Sequence, residues 1–304
     1  TNLVQSTTGA PVNPDASTFR VAGGAFQGAF LEKSTSLLGV GYGGVNELGD
    51  YDNDGDLDIL IGGYDTDYSA LHSLIYQNNA GVFTDIAAGL QGVTNGDAAW
   101  GDYDADGDLD LVLAGNDGGG SSSGISIIYR NDAGTFVDIS AAIQNVQYPT
   151  VSWVDYDNDG DLDLFLSGLT DVTDLPFTEI YQNDAGVFTA LSTGIVGLNR
   201  SSSDWADFDD DGDLDLVFIG RDGVGSKAFI YRNDGGSFTD ISAGLGGAQD
   251  GEVEWGDYDS DGDLDIMVIG DFTSGIVIYN NVGGVFTDIN AGLANGGDGS
   301  GEWA

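Results

Sequence analysis

The sequence predicts an all-β protein: a six-bladed β-propeller with four antiparallel strands per blade. Three observations lead there. A nine-residue Asp-rich stretch of pattern D-x-D-x-D-G-x-x-D starts at Asp50, Asp102, Asp155, Asp207 and Asp257, at spacings of 52, 53, 52 and 50 residues. The same strand signals flank every copy. No segment keeps a helical period. A unit of about 50 residues with four short strands is the mark of a propeller blade.

Each element follows in order. The first strand ends on Leu48, Trp100, Trp153, Trp205 or Trp255, two residues before each Asp stretch. After the stretch comes an apolar run: "ILIGG" from 59, "LVLAG" from 111, "LFLSG" from 164, "LVFIG" from 216, "IMVIG" from 266. It has no polar face, as expected of a strand buried on both sides. The third strand alternates and ends in Tyr-x-Asn, at "IYQNNAG" from 75 and its four cognates. An Asn/Asp/Gly turn joins it to a fourth strand, "VFTDI" from 82 and cognates.

The blade count rests on the fourth-strand Phe. Phe83, Phe136, Phe188 and Phe238 each precede the next Asp stretch by 19 residues; Phe30 precedes Asp50 by 20, and Phe286 completes six. Residues 1–304 are therefore expected to form a single domain of about six repeats. The last first-strand, near Trp303, would pair beside Thr1–Ser6 and close the ring. The cut falls where a sixth Asp stretch would stand, so six blades carry five. A seventh blade, or a larger assembly, is the alternative.

Composition narrows the function. The chain has 51 acidic and 7 basic residues, a formal charge of −44. Such a field repels nucleic acid and anionic membranes, which are discounted as partners. The five stretches hold 26 of the acids, which points to cation sites more than to a solvated face. There is no cysteine, so disulfides and thiolate metal sites are excluded. No apolar run approaches the roughly 18 residues that span a membrane, and no direct membrane insertion is expected. The chain begins at Thr1, so a mature form or an excised domain is expected.

Carboxylates at positions 1, 3, 5 and 9, with Gly at 6 for the turn and a backbone carbonyl at 7, curl hard oxygen donors round one point. That donor set suits Ca²⁺ better than Mg²⁺, which keeps its waters. An EF-hand would need an acid at position 12 between helices. Here position 12 is Ile61, Leu113, Leu166, Phe218 or Val268, inside an apolar strand. The EF-hand reading fails. Position 8 is always Leu, at 57, 109, 162, 214 and 264, and is expected to be a hydrophobic plug beneath the ion.

"DYDNDGDLDIL", "DYDADGDLDLV" and "DFDDDGDLDLV" resemble FG-GAP/VCBS-type calcium-binding repeats, the blades also found in integrin α-subunit propellers and several lectins. The resemblance covers nearly the whole chain; only the N-terminal blade, with no loop and no Trp, departs from it. It implies about five Ca²⁺, one per loop between strands one and two. The residues concerned are Asp50, Asp52, Asp54, Asp56 and Asp58; Asp102, Asp104, Asp106, Asp108 and Asp110; Asp155, Asp157, Asp159, Asp161 and Asp163; Asp207, Asp209, Asp211, Asp213 and Asp215; and Asp257, Asp259, Asp261, Asp263 and Asp265. The position-7 residue of each set would contribute its carbonyl.

Four carboxylates per loop are tolerable only around a dication, so the ions are expected to be structural. Extracellular calcium modules bind at about 10⁻⁴–10⁻³ M, which implies a secreted or cell-surface setting. The recurring Trp and the aromatics at motif position 2 are expected to pack between blades. His72, the only histidine, is expected to be a solvated loop residue. Function is expected where blades differ, on the face opposite the Asp loops; Tyr148, Arg200 and Arg221 are the candidate ligand contacts there. No cluster of Arg, Lys, His and Tyr and no catalytic triad can be assembled, so a non-catalytic binding or adhesion module for a glycan or an extracellular protein is expected. A polysaccharide-active enzyme and a structural repeat of a filament or adhesin are the alternatives.

Overall fold

The computed structural model describes residues 37–120, 123–170, 173–270 and 276–293. The chain divides into two units, Thr1–Leu37 and Leu38–Ala304, and the strands of the described residues belong to the second. Among the described residues the regular structure is entirely β. Five four-stranded antiparallel sheets follow one another along the chain. Sheet A holds β1 (Val40–Gly49), β2 (Asp58–Asp65), β3 (Leu71–Asn79) and β4 (Val82–Asp85). Sheet B holds β5 (Thr94–Gly101), β6 (Asp110–Asn116), β7 (Gly124–Asp132) and β8 (Thr135–Asp138). Sheet C holds β9 (Val146–Val154), β10 (Asp163–Thr170), β11 (Pro176–Asp184) and β12 (Val187–Leu191). Sheet D holds β13 (Asn199–Ala206), β14 (Asp215–Arg221), β15 (Ser226–Asn233) and β16 (Phe238–Asp240). Sheet E holds β17 (Glu252–Gly256), β18 (Asp265–Ile269), β19 (Val277–Val282) and β20 (Val285–Asp288).

Every sheet pairs its strands in sequence order, as in a propeller blade. The apolar runs are the second strands, and in β6 every residue is buried. The predicted sixth blade, with Phe30, Thr1–Ser6 and Trp303, lies outside the described residues. The hairpin from third to fourth strand turns on two residues of positive φ, Ala80 (48°) and Gly81 (78°) in sheet A. That is the type I′ geometry whose twist matches paired strands. The left-handed residues are Ala-Gly or Gly-Gly, two and three positions after the Asn of the Tyr-x-Asn motif.

The sheets meet face to face across four seams, each with its own apolar cluster. Val45, Leu60 and Ile75 of sheet A pack with Leu111, Leu113 and Phe136 of sheet B. Corresponding clusters join B to C, C to D and D to E. The position-2 aromatic of one sheet stacks on the Trp of the next: Tyr103 on Trp153 at 5.7 Å and Phe208 on Trp255 at 5.5 Å, with Phe188 and Phe286 tilted against them. At the C–D seam Trp205 turns edge-on to Phe165 instead. Gly101 makes room for this stacking; a Cβ there would lie 2.5 Å from the Trp153 ring. The aromatics therefore serve packing between sheets, as the sequence predicts.

First strands of successive sheets lie side by side. Their unpaired edge amides find side-chain acceptors on the preceding sheet. Asp97 Oδ2 accepts from Val151 N at 2.9 Å, Ser202 Oγ from Val253 N at 3.1 Å, and Asp204 Oδ2 from Trp255 N at 2.8 Å. Burial pushes the Asp97 carboxyl up to about 6. These bonds satisfy donors that an edge strand otherwise exposes.

Candidate metal centres and the opposite face

The five Asp loops connect first to second strand and share one geometry; they are numbered one to five along the chain. In loop one both oxygens of Asp50 accept backbone amides, from Asp54 N and Gly55 N, each at 2.9 Å. Asp54 Oδ1 accepts from Asp56 N at 2.9 Å. Asp58, the first residue of β2, is fully buried and accepts from Tyr51 N at 3.1 Å and Asn78 N at 2.7 Å. The position-1 pattern repeats in the other four loops; the position-9 carboxylate accepts both amides in loops two, four and five, while Asp163 of loop three accepts from Asn183 N alone. Position 4 is left-handed in every loop, with φ of 56–62° at Asn53, Ala105, Asn158, Asp210 and Ser260.

Oxygens from positions 1, 3 and 9 converge within 4.8 Å of one another in all five: Asp50, Asp52 and Asp58; Asp102, Asp104 and Asp110; Asp155, Asp157 and Asp163; Asp207, Asp209 and Asp215; Asp257, Asp259 and Asp265. Position 5 (Asp54, Asp106, Asp159, Asp211, Asp261) does not join the group, its Oδ1 being engaged by the position-7 amide. At position 7 the side chain turns toward the hairpin: Asp56 Oδ2 accepts from Ala80 N, Asp108 Oδ2 from Ala133 N, Asp213 Oδ2 from Gly235 N and Asp263 Oδ2 from Gly283 N.

Do these groups fit a dication? Oxygen-only donors of like charge are crowded together, and burial pushes the carboxyls of Asp110, Asp163 and Asp215 up to about 7, helped by neighbouring carboxylates. Asp58 and Asp265 move the same way for the same reason. Asp52 Oδ1 and Asp157 Oδ1 are buried with no hydrogen-bond partner. A hard cation at the point of convergence would neutralise the charge and coordinate those orphaned oxygens. The residues present fit calcium.

Two sets of residues that the sequence reading passed over hold the loops in place. In sheets B, C and D the Asn of the Tyr-x-Asn motif bolts its sheet to the preceding loop. Asn183 Nδ2 donates to Tyr103 O of loop two at 2.7 Å and to Leu162 O at 3.0 Å, while its Oδ1 accepts from Gly186 N at 2.8 Å. Asn131 and Asn233 do the same; Asn281 bonds only within its own sheet. The residue before this Asn faces position 3. Gln77 donates to Asp52, Gln182 to Asp157 and Asn280 to Asp259, and Arg130 and Arg232 stand at the same place in sheets B and D. Their signal was the invariant place of Tyr-x-Asn in the repeat. The Tyr hydroxyl of that motif anchors the connection between sheets, accepting from Gln91 N at Tyr129 and from Gln144 N at Tyr181.

Two expectations are corrected. Leu57 is 55% exposed, and Leu109, Leu162, Leu214 and Leu264 pack into the seam clusters rather than beneath a converging carboxylate group. Alternation along the strand explains this: position 9 points into the loop, so position 8 points away. His72 lies on β3, half-buried, with Nε2 3.9 Å from Asp65, because that strand already begins at Leu71 and takes the histidine in.

The opposite ends of the sheets differ from one another. There a left-handed residue lies near the start of each first strand, seven positions before the Asp loop: Gly43, Asn95, Tyr148, Arg200 and Asp250, with φ of 46–65°. In sheets A to D it makes a bulge against the second strand. Three of these residues touch across two seams. The Arg200 guanidinium lies 4.5 Å from the Tyr148 ring centroid, and its Nη1 is 2.9 Å from Asp250 Oδ1. Arg221 is exposed at the end of β14, opposite Asn199 in the register. The three candidate ligand contacts therefore share one end of sheets C and D. A polar cavity of about 570 Å³ is lined by Asp250, the partner of Arg200, and by Asp97, Thr150, Ser201, Ser203 and Glu252 among others.

The sequence profile of the FG-GAP-like repeat matches residues 50–113, 102–166 and 207–268, more than half of the chain. The chain belongs to the FG-GAP-like repeat family. Each matched segment runs from one Asp loop through the rest of its sheet and the following Asp loop into the next second strand, so each FG-GAP-like match takes in two consecutive Asp loops. No match was found among curated proteins. Among solved structures, this FG-GAP-like chain is similar to a lectin of Agrocybe aegerita, described as specifically recognising non-reducing terminal N-acetylglucosamine. The identity is 19% and the TM-score 0.49 over 80% of this chain, which spans 64% of the length of that one.

Proposed function

We propose that the chain is an extracellular, calcium-stabilised β-propeller that binds a glycan or a protein and does not catalyse. The observation that carries it is the contrast between the two ends of the sheets. At one end, five loops repeat one converging carboxylate geometry, so they serve what every blade needs. Positions 1, 3, 5 and 9 and the position-7 carbonyl are proposed to hold one Ca²⁺ per loop. At the other end, equivalent positions carry Asn95, Tyr148, Arg200 and Asp250, and a bulky residue held left-handed is a cost that usually accompanies function. Five Ca²⁺ would still leave the chain strongly negative, which favours a neutral glycan or a protein surface over an anionic ligand. The single domain is proposed to close as six blades, the sixth built from the N-terminal residues and the strand near Trp303, on the count of fourth-strand Phe residues.

The test is a glycan array and a protein pull-down in calcium, beside a panel of polysaccharide substrates. Tyr148→Ala and Arg200→Ala are expected to weaken a detected ligand at least about tenfold, the loss of roughly 1.4 kcal/mol, with the melting temperature unchanged. Asp159→Ala is expected to lower the melting temperature and leave affinity intact. Turnover of any polysaccharide, abolished by one substitution that leaves stability unchanged, would establish an enzyme instead.

A further inference from the structure

The Asp loops are not independent of one another. Asn53, at position 4 of loop one, donates from Nδ2 to Gly107 O at 3.0 Å and to Asp108 Oδ1 at 3.1 Å in loop two. Asn158 of loop three does the same to loop four, reaching Gly212 O at 3.0 Å and Asp213 Oδ1 at 2.8 Å. Each Asn sits between the position-3 and position-5 carboxylates of its own loop, in the left-handed conformation that closes that loop. Each holds positions 6 and 7 of the next loop, the segment whose position-7 carbonyl would face the ion. The other seams lack this link. Loop two has Ala105 at position 4, too short to reach, and loop four has Asp210, an acceptor with no hydrogen to donate to Asp263.

We infer that Asn53 and Asn158 are positioning residues that couple calcium binding in pairs, loop one with two and loop three with four, leaving loop five independent. The inference rests on the calcium reading above. Binding at loop three orders Asn158, and an ordered Asn158 lowers the entropy cost of ordering loop four. By linkage the effect runs equally in both directions. The pattern of two, two and one follows from the residue at position 4; the carboxylates at positions 1, 3, 5, 7 and 9 are the same in every loop.

The position-6 glycine amides give a site-by-site readout. Gly160 and Gly212 each donate to the position-1 carboxylate of their loop, so a ¹H–¹⁵N spectrum during calcium titration reports each loop separately. Asn158→Ala keeps every carboxylate. It is expected to weaken calcium at Gly212 at least about fivefold, to leave Gly107 and Gly262 unmoved, and to separate the midpoints of Gly160 and Gly212. Ala105→Asn, which supplies the missing link, is expected to bring Gly107 and Gly160 together. Titrations at Gly212 that ignore Asn158→Ala would overturn the coupling while leaving calcium binding established. A spectrum in which no glycine amide responds to calcium would overturn the calcium reading, and the coupling with it.

Discussion

Stripped of calcium by EDTA, the protein is expected to melt about 20 °C or more below its temperature in saturating calcium. A ligand that binds only the native state stabilises by about 2.7 kcal/mol per site at 100 times its dissociation constant, and five such sites act together. For a chain of this size each kcal/mol moves the midpoint by about 2–4 °C. The loss has a pH signature. Asp110, Asp163 and Asp215 have carboxyls pushed up to about 7 by burial in the metal-free fold, against about 3.9 when unfolded. A carboxyl whose pKa rises on folding binds more protons in the native state, so its contribution is fully present below the unfolded value and is lost as pH rises through about 7. The EDTA-treated protein should therefore melt progressively lower from pH 5 to pH 8. With calcium bound the trend should vanish or reverse, since protons then compete with the ion. Melting curves that coincide with and without EDTA would mean that the loops are not structural calcium sites.

Asn183→Ala is expected to cost about 3 kcal/mol, and Asn281→Ala about 1 kcal/mol less. Both side chains are fully buried and both brace a hairpin glycine. Only Asn183 also crosses a seam, to Tyr103 O. Removing it leaves two carbonyls and one amide without their partner, at about 1 kcal/mol for each lost bond plus the penalty of burying it unpaired. The difference between the variants isolates the bond between sheets. Equal melting temperatures for the two, measured in calcium, would show that the bolt carries nothing.

The repeat made most of the described fold legible. An Asp stretch every 50-odd residues, a fully apolar run after it and a Tyr-x-Asn before each turn place all four strands of every described sheet, because period and burial are written in residue type. Trp153 and Tyr103 recur in step, so their packing could be foreseen. The left-handed residue at Asn95, Tyr148, Arg200 and Asp250 could not. It is fixed by backbone conformation, and those side chains have nothing chemical in common. Asn183 looked like the end of a strand because its partner, Tyr103 O, lies in another repeat, and Asn53 and Asn158 looked like filler between carboxylates for the same reason. The sequence does show Tyr148 and Arg200 as departures from the repeat; that they touch is visible only once the sheets are side by side. The terminal pairing predicted for Thr1–Ser6 and Trp303 lies outside the described residues.

The central claim is that the Asp loops are calcium sites built into the blades. It is tested most directly by a crystal structure of the chain grown in calcium, with an anomalous difference map. The account predicts five peaks, each among the position-1, position-3 and position-9 carboxylates of one loop, and a sixth blade without a peak. A map from crystals grown in saturating calcium that shows the five loops empty, with their carboxylates still converged, would contradict it.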